Sequence, residues 1–436
     1  MTEREYAVKL LTDFIRINTT NPPGNEEDAV AFLEDILRRE GMETQVYLPV
    51  KKRANLISRI KGREKGRPII LLGHIDVVPA NPDEWEVHPF SGELKDGFIY
   101  GRGTIDMKSQ IICHLLAFIG LKKKGIIPER DIVFLATCDE EVGGQYGVEF
   151  MLNEVKDLKD ASFVLSEGGC IIEEDGFIHA QIAVAEKKLS QFMIKARGTG
   201  GHGSMPTKDT ANEKIIRACH SILSYEWPVR VTGVVNTYLT GILKGKGLGG
   251  FKFPSLKEAL KDKRFKKAIE DNPFYNALIK NTVTLTILKS GEKINVIPSE
   301  SEAYFDARLL PQEDREAFMK KIERLCGRDI EIVRISSGTS DPIPSPYNTG
   351  YFKGIKKVIE GSMGEIPVLP SLLTGASDLR YFRNLGIPSY GFFPVVLSKD
   401  DVVRMHGRNE RIPIEGFCDA VERTHEIVEF LAAYKD

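Results

Sequence analysis

Acidic and imidazole side chains fall where a chain could build a reactive centre. His74 and Asp76 close the apolar run PIILLGHIDVV; Asp139, Glu140 and Glu141 close DIVFLATCDEE; Glu167 closes ASFVLSEGG. Asp106 sits in YGRGTIDMKSQ, where a glycine-bearing loop enters a helix. A carboxylate at a strand end costs several kcal/mol to desolvate unless it has a partner, and several on one rim repel one another. No nearby run of Lys or Arg supplies the balancing charge, but divalent cations would. One His with several Asp/Glu suits zinc, manganese or cobalt. A lone zinc is satisfied by fewer ligands, so this many point to two ions. If each ion takes one His and one Glu while Asp106 bridges them, Asp106, Glu141, Glu167 and a bridging hydroxide balance the ions and leave a neutral centre.

Alternation along a strand puts His74 and Asp76 on one face, so Asp76 suits holding the far nitrogen of His74 and fixing its tautomer. Glu140 and Glu141 are adjacent and cannot point the same way; one can bind metal while the other stays free as general base. The second imidazole must come from elsewhere, and DVVRMHGRNERIP offers His406. The bland readings have to be set against these. A lone DEE is usually a solvated turn, and GRGTID alone is a weak glycine-rich loop with no GK[ST] to make it a phosphate loop. Arg308 could simply pair with Asp306 along a strand. His88, His114, His179, His220 and His425 lack such company and read as ordinary core or surface residues.

The elements that must position these groups are strands alternating with helices up to about residue 186. TQVYLPV, NLISRI, PIILLGHIDVV, DIVFLATCDEE and ASFVLSEGG read as strands, with a helix over about 107–124 and another in GVEFMLNEV. That pattern predicts an α/β fold with a central, mostly parallel sheet flanked by helices, and ligands beyond the C-terminal strand ends. From about 187 the texture changes. An alternating strand runs into the glycine-rich GTGGHGSMP, then come helical stretches, a basic segment over about 241–275, and two strands in TVTLTILKSGEKINVIPSESEAYFDARLLP. The expected organisation is a catalytic metal-binding domain over 1–186 and 305–436, interrupted by an α+β domain over 187–304. After the insertion, QEDREAFMKKIERLCG reads as a helix, DIEIVRISSG as a strand and NTGYFKGIKKVIEG as a helix.

With 436 residues, two domains are the natural prior. A balance of 60 basic to 62 acidic residues gives no nucleic-acid or membrane surface. The first twenty residues interleave apolar and charged side chains as an amphipathic helix, unlike a signal peptide. The six cysteines lie far apart with no CxxC pair, so cytoplasmic thiols are the expectation.

GHIDVVP, YGRGTIDMKS, DEEVGG, SEGG, GHGSMP, NVIPSESEAYFDARLLP and MHGRNERI, in this order, resemble the M20 metallopeptidases, the group of carboxypeptidase S, aminoacylase-1, acetylornithine deacetylase and succinyl-diaminopimelate desuccinylase. The resemblance spans about residues 5–432. It implies a two-zinc catalytic domain, with Co or Mn as substitutes, and an inserted lid or dimerisation domain that allows a homodimer. It places His74 and Glu167 on one zinc, Glu141 and His406 on the other, and Asp106 between them. Glu140 becomes the general base and Asp76 the residue that orients His74. His202 resembles the lid histidine that donates to the developing oxyanion, supplied across the dimer in some members. Asn295 and Arg308 resemble residues for the substrate's carbonyl and carboxylate; Gly375 and Ser377, in TGASDLRYF, resemble a substrate-facing loop. Glu167 stands where dipeptidase and tripeptidase branches more usually carry Asp, which points to the carboxypeptidase and deacylase side. The implied reaction is hydrolysis of the amide bond of an N-acyl amino acid or short peptide with a free C-terminal carboxylate. The competing readings are an aminopeptidase or dipeptidase on the same scaffold and, from another class, a metal-binding regulator without activity. The segment over 241–275 departs from the shorter lids of the family.

Overall fold

The strand Glu64–His74 carries Ile69, Ile70, Leu71 and Leu72 with no solvent exposure, and Arg130–Thr137 is buried along its whole length. Strands buried on both faces read as unbroken apolar runs, and these two pair in parallel at the centre of a sheet. The computed structural model describes residues 1–248, 250–335 and 341–435. Its contacts divide the chain into two units: Met1–Val184 with Ile343–Ser371 and Ser377–Asp436, and Ala185–Pro342 with Leu372–Ala376.

The first unit is mixed α/β. From one edge its sheet runs Thr44–Val50, Arg53–Ile60, Arg130–Thr137, Glu64–His74, Phe163–Ser166, Ser389–Gly391, Phe177–Glu186, Ile171–Glu174 and Val396–Ser398, with Val368–Leu373 also paired to Phe177–Glu186. The pairs from Arg130–Thr137 through Glu64–His74 and Phe163–Ser166 to Ser389–Gly391 are all parallel. Helix Lys108–Lys123 lies against the strand Glu64–His74 and the helix Ile414–Ala433. The approach is close: a Cβ on Gly73 would stand 2.6 Å from Ile111 Cγ1, so only glycine fits one residue before His74. Two expected strands end earlier than their apolar runs suggested. Glu64–His74 stops before Asp76, and Arg130–Thr137 stops before the acids, which turn through Asp139 (φ 76°) into a single 3-10 turn, Glu140–Val142. Asp76 and the Glu140–Glu141 pair therefore satisfy one another outside the ladder, as described below.

The second unit carries an antiparallel sheet in the order Lys188–Leu189, Glu300–Leu309, Phe192–Arg197, Ile330–Arg334, with Thr282–Ser290 on the far side of Glu300–Leu309. Glu300–Leu309 alternates buried and half-exposed positions. Its inward side chains join Phe192, Ile194, Ile215, Ile222 and Phe318 in a core under helices Ala211–Leu223 and Arg315–Cys326. The segment that departs from shorter lids folds as helices, with Lys263–Asp271 burying Phe265 against Phe251 and Phe253. Lys187 Nζ anchors the following helix, Pro273–Ile279, by donating to the carbonyls of Ala277 and Lys280 and to Thr282 Oγ1 at 2.9–3.1 Å. This pairing corrects the expected boundary at 304. That residue lies inside a strand paired on both sides, so 305–342 stays with the second unit, as does 372–376. The tail of the expected strand DIEIVRISSG, residues 336–338, lies outside the described residues. No helix among the described residues is long and apolar enough to cross a membrane.

Candidate metal centre and active site

The strand Glu64–His74 delivers His74 to the sheet rim, where its ring is almost wholly buried. The Asp76 carbonyl accepts from Nδ1 at 3.0 Å, which leaves Nε2 facing Asp106 Oδ1 at 2.9 Å and Glu167 Oε1 at 3.7 Å. His406 Nε2 faces Asp106 Oδ2 at 3.0 Å and Glu141 Oε2 at 3.5 Å. Donor atoms of His74, Asp106 and Glu167 lie within 4.8 Å of one another, as do those of Asp106, Glu141 and His406. Asp106 thus gives one oxygen to each triad.

The electrostatics suit cations. Burial, then the Asp106 charge, pushes Glu167 up to about 8. Burial also raises Glu141, and raises Glu140 well above the usual carboxylate range with the Glu167 charge adding to it. Hydrogen bonds to Asp106 and Glu141 hold His406 up to about 10. For His74, burial pulls down, but Glu167 and Asp106 outweigh it. Protons are retained where a divalent ion fits, because the excess carboxylate charge demands positive charge from one source or the other. Glu141 turns Oε2 to His406, and its Oε1 is buried with no hydrogen-bond partner. Imidazole and carboxylate donors with an orphaned oxygen fit a metal pair.

The loops that carry these residues are tied down by groups the sequence reading did not single out. Glu410 is fully buried, and its Oε1 accepts from the backbone N–H of Gly103 (3.1 Å), Ile105 (2.7 Å) and Asp106 (3.3 Å). Its Oε2 pairs with Arg102 Nη1 at 2.6 Å, and Arg102 Nη2 donates to the carbonyls of His406 (3.2 Å) and Gly407 (3.0 Å). One buried ion pair therefore fixes the Asp106 loop and the His406 turn together. Both residues stood inside the motifs GRGTID and MHGRNERI, but only coordinates show their meeting.

The Asp76 carboxylate lies 3.6 Å from His74 Nδ1, yet its hydrogen bonds come from the N–H of Glu140 and Glu141 (3.1 Å each) and from Asn21 Nδ2 (2.8 Å). It fixes the Glu140–Glu141 turn as well as neighbouring His74. Below it, Arg53 joins Glu26 (2.9 Å) to Asp139 (2.6 Å), all three buried. On its outer side, Arg380 and Tyr381 both donate to the Gly143 carbonyl.

The structure thus gathers His74, Asp76, Asp106, Glu140, Glu141, Glu167 and His406. Ser377 is buried in the same unit, where its carbonyl accepts from Arg380 Nη1. His202, Asn295, Arg308 and Gly375 belong to the second unit. There His202 is exposed on the two-residue strand Gly201–His202, paired with Val296–Ile297, and its Nδ1 meets Ser204 Oγ at 2.7 Å. The N–H of Gly203 donates to the Asn295 carbonyl at 2.8 Å, so His202 and Asn295 share one ribbon. Arg308 is forked onto Asp306 through Nε and Nη2 at 2.7 and 3.1 Å. The bland pairing is therefore present; it occupies two of the three guanidinium nitrogens.

A mixed sheet with a parallel centre, whose rim carries two imidazole–carboxylate triads on a shared aspartate, has the donor arrangement of a metal-dependent hydrolase. The sequence profile of peptidase family M20/M25/M40 matches residues 70–429. An N-fatty-acyl-amino acid synthase/hydrolase, PM20D1 of Xenopus tropicalis, is 31% identical over 438 residues, covering 95% of this chain and 83% of that protein. Aminoacylase-1 of Sus scrofa is 29% identical over 443 residues, covering 98% and 95%. The fold matches the M20 family metallo-carboxypeptidase Sso-CP2 of Sulfolobus solfataricus with TM-score 0.76 at 19% identity, over 99% of this chain and 100% of that one. The chain belongs to peptidase family M20/M25/M40.

Proposed function

We propose that this protein hydrolyses the amide bond of N-acyl amino acids, or of short peptides with a free C-terminal carboxylate, using two divalent ions, zinc foremost. The observation that carries this is the split of Asp106, one oxygen at 2.9 Å from His74 and the other at 3.0 Å from His406. His74 and Glu167 would hold one ion, Glu141 and His406 the other, and Asp106 would serve both. When bound, such a pair lowers the pKa of water and polarises a carbonyl. Glu140, held by its backbone on Asp76, takes a proton from the attacking water on its carboxylate and returns it to the departing nitrogen. His202 donates to the carbonyl oxygen as charge develops there. Arg308 reads the substrate carboxylate with its remaining amino group, and Asn295, Gly375 and Ser377 border the substrate. The similarity to an aminoacylase and to an N-fatty-acyl-amino acid hydrolase favours the deacylase reading over an aminopeptidase.

Glu140→Gln is expected to retain both ions and lose at least about 100-fold in turnover, the scale of general-base catalysis; near-normal turnover refutes the assignment. A panel of N-acyl amino acids and unblocked peptides separates deacylase from aminopeptidase. Thr282–Ser290 is paired only through Glu300–Leu309 among the described residues and exposes Ile287 and Leu288, which supports a homodimer through this edge; sedimentation at micromolar concentration tests it. All six cysteines are free thiols, which supports a cytoplasmic setting.

A further inference from the structure

Glu140 stands on a short turn. The turn Glu140–Val142 is three residues long, Val142 is exposed, and Gly143 and Gly144 follow with φ of 121° and 73°. The turn closes through the Gly143 N–H on the Glu140 carbonyl (2.9 Å) and the Gly144 N–H on the Asp139 carbonyl (2.6 Å), bonds that leave the Glu140 side chain unfixed. Asp76 holds it only through backbone N–H groups. The Glu140 side chain faces the carboxylates of Glu167 and Asp378, both of which repel it. His74 and Arg380 attract it, but His74 turns its Nε2 to Asp106 and Glu167, whereas Arg380 pairs with it directly, Nη1 lying 3.5 Å from Glu140 Oε1.

Arg380 is itself fixed. Its Nη1 donates to the Ser377 carbonyl at 3.0 Å and its Nη2 to the Gly143 carbonyl at 2.7 Å. The Tyr381 hydroxyl donates to the same Gly143 carbonyl at 2.6 Å, and the guanidinium sits 4.8 Å from the Tyr381 ring centroid. The fit on the other side is equally close: a Cβ on Gly144 would stand 2.6 Å from Asp378 Oδ1. One guanidinium therefore grips both ends of the element that presents Glu140, its carboxylate at the start and the Gly143 carbonyl at the close.

We infer that Arg380 is the positioning residue for Glu140: held by the Ser377 and Gly143 carbonyls, it draws Oε1 to one side and leaves Oε2 to receive the proton. The inference rests on Glu140 being the general base. It makes Arg380 a part of turnover that neither binds metal nor reads substrate. It also gives the loop TGASDLRYF a task besides the substrate contacts suggested by its Gly and Ser.

The test compares Arg380→Ala, Arg380→Lys and Glu140→Gln, alone and combined, on the metal-loaded enzyme. Arg380→Ala is expected to keep its metal content, hold KM within about twofold and lose about 10- to 100-fold in kcat, the scale of a misplaced catalytic group. Added guanidinium ion should restore part of that loss. On the Glu140→Gln background, Arg380→Ala should cost almost nothing further, because the group it positions is already disabled. A purely structural role would cost the same on both backgrounds and would resist guanidinium. An Arg380→Ala loss below about threefold, or an equal loss on both backgrounds, overturns the inference while leaving the general base in place. Full activity in Glu140→Gln overturns the base assignment instead. Should Arg380→Ala fail to fold, Arg380→Lys, which keeps the charge but cannot span both Glu140 and Gly143, is read by the same criteria.

Discussion

Replacing Glu410 by Gln is the sharpest probe of how the metal centre is held. The carboxylate accepts three backbone N–H groups on one oxygen and Arg102 on the other, with no solvent in reach. The amide is isosteric but cannot serve both sides. If its oxygen stays on the three N–H groups, its NH2 confronts the Arg102 guanidinium; if it flips, the NH2 confronts the backbone donors. Either way a buried cation loses its counter-charge. Breaking a buried pair by removing one partner costs about 3–5 kcal/mol. For a unit of roughly 270 residues with an unfolding entropy of about 2.1 cal/mol/K per residue, that is about 5–9 °C in melting temperature. Because the same pair fixes the Asp106 loop and the His406 turn, metal affinity should also fall, by about 10- to 100-fold, as is typical when the supports of a ligand are removed. Calorimetry of the chelator-treated and metal-loaded forms reads the first quantity, and equilibrium dialysis against zinc reads the second. A shift below about 2 °C with unchanged affinity would mean that Arg102 and Glu410 merely fill space, and the account of how the two loops are tied together would be wrong.

Two further outcomes follow from single residues. Burial pushes the His114 imidazole down to about 3, so below the unfolded value near 6.5 the unfolded chain binds a proton that the folded chain refuses. The contribution of this group is complete above about pH 6.5 and drains as pH falls, reaching a loss of about 2 kcal/mol by pH 5. His114→Gln should therefore lose less stability between pH 7 and 5 than the parent does; identical losses contradict the burial argument. Arg308→Ala should lose about 10- to 100-fold in kcat/KM on substrates with a free carboxylate and little on their amides, the worth of one charge-assisted hydrogen bond. Equal losses on both would assign Arg308 to Asp306 alone.

The mixed α/β fold was legible because its central strands are buried on both faces and so leave unbroken apolar runs, which only a few sequence patterns produce. The acids at the ends of those runs were legible for the converse reason: charge directly after a buried strand is costly enough to need a purpose. What the runs could not show was where each ladder stops. Asp76 and the Glu140–Glu141 turn leave their strands because they bond each other, and that pairing spans sixty-odd positions in about the same plane of the rim. Arg102, Glu410, Arg53 and Arg380 are single charged residues whose partners lie far along the chain, so no local period marks them. The end of the second unit was misplaced for a related reason. Glu300–Leu309 and Ile330–Arg334 alternate as any half-buried strand does, and nothing in the alternation says which sheet they join.

The short strand Ser389–Gly391 lies between Phe163–Ser166 and Phe177–Glu186, although more than two hundred residues separate it from either in the chain. On the ribosome the sheet must therefore wait, its middle open, until residue 391 has emerged, and His406 comes later still. A nascent chain can make the early hairpins and helices, but it can hydrolyse nothing. Such distant pairings are slow to form and leave strand edges unprotected meanwhile, so the interval before this late strand arrives is when the polypeptide is most exposed to misassembly.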